Sequence, residues 1–156
     1  MVREALFNII GDSIRGAQVL DLFAGAGTLG IEALSRGATA ATFVERDRAC
    51  ANIVAENLAL TGFAQQADVE SNDVLHWLRA HSSELSRYNL LLLDPPYRDG
   101  GTLQAALQTL DASALRAQAL VVVEHHRNQP LPPLQHLTEV RQRDYGTTRL
   151  SFLRYL

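Results

Sequence analysis

A single cysteine, Cys50, rules out an intramolecular disulfide and suits a reducing compartment. On its expected helix it reads as a small buried hydrophobe. No apolar run approaches the length of a membrane span. The opening Met1-Val2-Arg3-Glu4 lacks the basic stretch and apolar block of a secretory signal. A cytoplasmic protein with no membrane association is therefore expected. Lysine is absent, and all 14 basic residues are arginine. Arginine suits bidentate phosphate contact and stacking, although genome composition produces the same bias. No Gly-x-Ser-x-Gly elbow occurs, which argues against a serine hydrolase. The five histidines lack metal-ligand spacing with cysteine, so they read as structural or surface residues and no metal is expected. A net charge of −3 argues against a domain that attracts nucleic acid as a whole. From His125 onward, however, five arginines stand against Glu139 and Asp144. That local excess suits either a polyanion or a solvated hairpin face.

What is present describes one soluble domain. The 156 residues are 47% hydrophobic and 20% charged, enough for a real core. Apolar spacing predicts a helix from Val2 to Ile10, stopped by Gly11, and a first strand from Gln18 to Leu22. A helix from Thr28 to Arg36 closes at Gly37, and a strand runs from Thr39 to Val44. Asp47 caps a helix to about Leu60, with Cys50, Ile53, Val54 and Leu58 expected inward. A weak strand lies near Ala67 to Glu70, and Asp73 caps a short helix carrying Trp77, which reads as core. Leu90 to Leu93 is too short for a helix and suits a strand buried on both faces. A helix from Thr102 to Leu110 and a strand from Leu120 to Val123 follow. Strand–helix alternation implies a mostly parallel sheet with helices on both faces. The tail breaks that rhythm. Leu137 to Asp144 and Thr147 to Tyr155 read as a hairpin around Tyr145-Gly146, making seven strands with an antiparallel end.

Two motifs carry chemistry. Asp94-Pro95-Pro96-Tyr97 follows the leucine strand, so an acid, a rigid turn and an aromatic ring sit at the carboxyl end of a central strand. Ligands of open α/β sheets bind there. Such a corner holds a flat, amine-bearing ring, with the acid accepting from the amine and the tyrosine stacking. A plain proline turn with a surface acid gives the same letters. The second motif is Asp21-Leu22-Phe23-Ala24-Gly25-Ala26-Gly27-Thr28-Leu29-Gly30, between the first strand and the next helix. Its glycines fit the spacing of a dinucleotide loop. Glu45, 20 residues after Gly25, suits the two hydroxyls of a ribose. Asp21 would repel a pyrophosphate but favour a cationic amine or sulfonium, or it simply pairs with a nearby arginine or bonds loop N–H groups. Asp73 either receives an adenine amine, with Val74 offering its N–H, or is a plain helix cap. Glu124 ends the fifth strand near this cleft, where it either contacts substrate or, as the default reading, is a surface acid.

Together with Val2-Arg3-Glu4-Ala5-Leu6-Phe7-Asn8 and the Tyr145-Gly146-Thr147 turn, these motifs resemble the bacterial 16S ribosomal RNA guanine-N2 methyltransferase family of the RsmD type. The resemblance spans nearly the whole chain, although the Asp-Pro-Pro-Tyr element is shared with adenine-N6 methyltransferases. It implies one Rossmann-like class I methyltransferase domain over residues 1–156, S-adenosylmethionine as methyl donor and S-adenosylhomocysteine as product. The implied acceptor is the exocyclic N2 of a guanine in 16S rRNA, guanine 966 by family pattern. The implied substrate is a small ribosomal subunit or an assembly intermediate, and a monomer is expected. The implied cofactor contacts are Asp21, Phe23, Ala24, Gly25, Gly27, Thr28, Glu45, Arg46, Asn72, Asp73 and Val74. The implied catalytic group is Asp94, Pro95, Pro96 and Tyr97. On this reading Asp94 and the Pro95 carbonyl each accept one amine hydrogen, Pro96 stiffens the corner, and Tyr97 stacks on an unstacked base. The family's basic N-terminal arm and Arg-Pro-Thr segment have no counterpart ahead of Val2. A DNA adenine methyltransferase and an NAD-binding Rossmann protein remain as alternatives.

Overall fold

The computed structural model describes residues 2–96 and 100–156. Seven strands form one sheet: β1 (Gln18–Leu22), β2 (Ala40–Glu45), β3 (Ala67–Ser71), β4 (Leu90–Leu93), β5 (Leu120–His126), β6 (Leu137–Tyr145) and β7 (Thr148–Tyr155). Among the described residues α1 (Val2–Ile10) precedes the sheet, and α2 (Thr28–Ser35), α3 (Arg48–Thr61), α4 (Val74–Ala80) and α5 (Gly100–Asp111) connect its parallel strands. The strand order is β3-β2-β1-β4-β5-β7-β6. Strands β1 to β5 are parallel, and β7 lies antiparallel to both neighbours. The chain reverses its winding between β1 and β4, which opens a crevice at their carboxyl ends.

The leucine strand behaves as a doubly buried element must. Leu91 and Leu93 join the core layer under α4 and α5, while Leu90 and Leu92 join the layer of α1, α2 and α3. All four are buried, because β4 pairs with β1 on one side and β5 on the other. Strand β5 runs three residues beyond the expected Val123. Its parallel pairing with β4 stops there, but β7 continues to pair with Glu124, His125 and His126. Helix α5 likewise starts earlier than expected, at Gly100. Three short 3-10 helices, Gly11–Ile14, Ala64–Gln66 and Ser82–Arg87, carry no periodic signal and were not anticipated.

Helix α3 departs from the expected face. Asp47 caps it through the N–H groups of Ala49 and Cys50, and Gly62 ends it with φ +83°. Its buried residues are Ala51, Val54 and Leu58. Ile53 is 43% exposed and Cys50 is only partly covered. The inward stripe centres on Val54 and takes in Ala51 one turn before it, which turns Ile53 away. Trp77 is core, as expected, and His81 stacks on it with ring centroids 4.2 Å apart.

Two buried polar groups fasten the tail. His125 Nδ1 lies 3.1 Å and 3.0 Å from the carbonyls of His126 and Gln129, and Nε2 lies 2.8 Å from Ser151 Oγ. Carbonyls only accept, so Nδ1 carries the proton and Ser151 donates to Nε2. Burial holds the ring below its ordinary pKa despite those carbonyls. Asp111, ending α5, accepts from the N–H groups of Gln135, His136 and Leu137 at 2.8, 2.7 and 2.7 Å. Burial pushes its carboxyl up, but the three donors and the His136 charge outweigh burial and leave the pKa below the ordinary value. Asp111→Asn places an amide NH2 among those donors, and about 2–3 kcal/mol of stability should be lost at pH 7. The folded pKa is the lower one, so the carboxylate's contribution is present above the unfolded value near ~3.9 and fades as pH falls through the folded one. Urea unfolding of both proteins between pH 7 and 3 reads this directly. A gap that does not shrink on acidification contradicts the assignment.

Candidate active site

A cleft of about 620 Å³ opens at the carboxyl ends of β1, β2, β4 and β5, bounded also by the start of α4 and by Thr102 on α5. One wall is the loop from β1 to α2. Phe23 stands there at φ +60°, a conformation bulky L-residues rarely adopt and one that accumulates at functional loops. Gly25 follows at φ +59°. The turn is fixed by Gly27 N–H donating to the Ala24 carbonyl at 2.8 Å, and by Asn57 on α3 donating to the Ala26 carbonyl at 3.1 Å. Gly30 is a packing requirement, because a methyl group there would overlap the Phe43 ring of β2.

Glu45 ties this loop to the next. Its Oε1 accepts from Gly25 N–H at 2.8 Å and its Oε2 from Asp47 N–H at 2.7 Å. Each carboxylate oxygen has a further lone pair, so two acceptor positions remain for a ligand. Asp21 is 1% exposed, and its Oδ2 accepts from Gly30 N–H at 3.0 Å. Burial raises its pKa well above the ordinary value. The Gly30 bond opposes that, while the charges of Asp94 and Glu45 add to it. The loop-bonded reading of Asp21 is therefore realised, and the residue lines the cleft as well. Asp73 also has both placements: it caps α4 by accepting from His76 N–H at 3.0 Å, and it lines the cleft beside Val74.

The opposite wall is Asp94, Pro95 and Pro96, with Glu124 next to them. Leu93 of β4 is in register with Val123 of β5, so Asp94 and Glu124 are the next residues on adjacent parallel strands. Their side chains share a hydrogen bond. Two carboxyls bond only if one of them holds a proton. Burial lifts Asp94 above its ordinary value, opposed by the bond from Glu124. Burial, the bond and the Asp94 charge together push Glu124 up to about 7.

The cleft thus gathers Asp21, Phe23, Ala24, Gly25, Thr28, Glu45, Arg46, Asp73, Val74, Asp94, Pro95 and Pro96 from the expected set. Gly27 and Asn72 are not on its wall. Gly27, at φ +84°, backs against Val54 and Phe43. Asn72 turns its Oδ1 to the N–H of Asp73 and braces the cap. Tyr97 lies outside the described residues. Glu124 is not the surface acid of the default reading, since it stands half-buried in the cleft. Its only sequence signal was its position after a fully apolar strand. Six acids, Asp21, Glu45, Asp47, Asp73, Asp94 and Glu124, face one cation, Arg46, among the described lining residues. No group of three or more His, Cys, Asp or Glu among the described residues is placed to hold a metal ion. No described helix is long and apolar enough to cross a membrane.

The family model described as Conserved hypothetical protein 95 matches residues 1–154. Ribosomal RNA small subunit methyltransferase D of Haemophilus influenzae is 34% identical over 146 residues, a match covering 93% of this chain and 75% of the relative. A solved structure of a hypothetical protein from Thermus thermophilus is 31% identical with a TM-score of 0.81, covering 97% of this chain and 83% of the other. An RNA methyltransferase from Salinibacter ruber, solved with S-adenosyl-L-homocysteine, shares the fold at a TM-score of 0.73 and 14% identity, covering 99% and 90%.

Proposed function

We propose, from the premise that this chain belongs to the Conserved hypothetical protein 95 family alongside ribosomal RNA small subunit methyltransferase D, that it methylates the exocyclic N2 of a guanine in 16S rRNA with S-adenosylmethionine as donor. The fold is the class I methyltransferase fold, a mostly parallel seven-stranded sheet closed by an antiparallel hairpin. The observation that carries the reading is the placement of Asp94 and Pro95 across one cleft from Gly25 and Glu45.

The residues fit the donor molecule. Asp21, its pKa lifted by burial and further by the charges of Asp94 and Glu45, welcomes a cation, and S-adenosylmethionine carries two, an ammonium and a sulfonium. The same acid surplus disfavours the pyrophosphate of NAD. In this reading the spare lone pairs of Glu45 accept the ribose hydroxyls, and Asp73 with Val74 receives the adenine. When bound, the cofactor supplies an electrophilic methyl on its sulfonium. The chain therefore has to supply orientation, not a nucleophile.

Asp94 and the Pro95 carbonyl each take one hydrogen of the guanine amine and turn the nitrogen lone pair toward the cofactor's side of the cleft. Pro95 and Pro96 keep that corner stiff. The bond formed joins nitrogen to the methyl carbon, and the sulfur keeps the electron pair of the bond that breaks. The nitrogen then gives up one proton, and the carboxyls at the corner are placed to take it. In cells, the substrate on this reading is the small ribosomal subunit or its precursor, met in the cytoplasm.

Mass spectrometry of 16S rRNA from cells lacking the gene tests the proposal. One N2-methylguanine should disappear and return when the purified chain and S-adenosylmethionine are added to the isolated small subunits. Unchanged rRNA methylation in the deletion strain refutes it.

A further inference from the structure

We propose that Glu124 selects guanine, its carboxylate accepting the N1–H of the target base while Asp94 accepts from the amine beside it. The inference rests on the methyltransferase reading above and adds the residue that sets base identity. Asp94 and Glu124 each follow the last residue paired between β4 and β5, so they lie side by side, both line the cleft, and their side chains share a hydrogen bond. They therefore offer two acceptor groups side by side. Guanine alone among the RNA bases presents two donors side by side on its Watson–Crick edge, N1–H and the N2 amine. Adenine and cytosine set a ring-nitrogen acceptor next to their amine, and that acceptor would face the Glu124 carboxylate. A buried acceptor set against an acceptor leaves both unpaired, the kind of mismatch that polar sites reject most strongly.

The shared proton fits this role. Without a base, a proton bridges Glu124 and Asp94 below about pH 7, because two half-buried carboxyls side by side resist carrying both charges. Guanine brings its own hydrogens to both acceptors and replaces that bridge. Around Glu124 stand the acids Asp94, next to β4, and Asp21 on β1, with Thr102 of α5 on the same cleft wall and Leu150 of β7 paired opposite it. Base binding then requires the bridging proton to leave, so wild-type kcat/KM should rise with pH through about 7, the value to which Glu124 is pushed.

Glu124→Gln is the informative variant, since it keeps the shape and one acceptor oxygen while adding a donor that suits adenine N1. The assay uses purified full chain, S-adenosylmethionine, and small subunits from a strain lacking the gene, carrying either the natural guanine or adenine at the target position. Roughly ten- to a hundredfold lower kcat/KM on guanine subunits is expected. The guanine-to-adenine ratio should narrow at least about tenfold, and the acid limb of the pH profile should flatten. S-adenosylhomocysteine affinity by calorimetry should remain within a few-fold of wild type. An unchanged ratio, undetectable adenine methylation by the variant, or a loss matched by equal loss of S-adenosylhomocysteine affinity overturns the assignment. Wild-type chain that leaves guanine subunits unmethylated would instead overturn the parent reading, so the two failures are distinguishable.

Discussion

Replacing Asp94 with alanine is expected to lower methyl transfer by about a thousandfold or more while cofactor affinity changes only a few-fold. The reasoning is geometric. Asp94 stands on the wall opposite the glycine loop and carries none of the hydrogen bonds that shape that loop, which come from Glu45, Asn57 and the turn itself. Its removal takes away an acceptor for the amine and exposes Glu124 to a site with no bridging partner. It also relieves Asp21 of one neighbouring acid, a small effect on the cofactor side. Asp94→Asn keeps one acceptor oxygen and should retain more activity than alanine, because orientation of the amine needs an acceptor and not a charge. Single-turnover rates on small subunits, with calorimetric titration of S-adenosylhomocysteine, separate the two effects. Near-normal turnover by the alanine variant sinks the assigned role.

Glu45→Ala should act on the other half of the cleft. Its carboxylate holds Gly25 and Asp47 and has acceptor capacity left for two ribose hydroxyls. Hydrogen bonds to a charged group contribute about 1.5–3 kcal/mol each, so losing them should weaken S-adenosylhomocysteine binding by roughly a hundredfold or more. Turnover at saturating S-adenosylmethionine should fall much less, because Glu45 lies away from the Asp94 corner. Calorimetry on the variant decides it. A dissociation constant within threefold of wild type would remove Glu45 from the binding site.

The features legible in the sequence were those fixed by short-range physics. A run of four leucines has few places to go other than the centre of a sheet, and it went there. Asp47 and Gly62 bracket a helix because a capping carboxylate and a left-handed glycine satisfy its ends. The glycine loop announced itself through Gly25 and Gly30. What stayed hidden depends on partners distant in sequence. The exposure of Ile53 follows from how α3 rolls on the sheet, and an alanine at 51 gives a weak hint of it. The positive φ of Phe23 has no signal, since nothing in an aromatic side chain calls for that conformation. The pairing of Asp94 with Glu124 needs the alignment of β4 with β5, thirty residues apart. Gly27 and Asn72 looked like ligand contacts by position, but the structure uses one for packing and the other for bracing a cap.

The outermost ribbon has a consequence for life at high concentration. Residues 138 to 144 of β6 are all solvent-exposed, Arg141 and Arg143 among them, and the pairing with β7 slips between Glu139 and Arg141. A kinked, charged margin offers a poor template to a stray strand from another molecule. On the far side, β3 carries Asp68 and Glu70. An open sheet thereby carries charge along both of its borders, which disfavours fibre-like stacking at either.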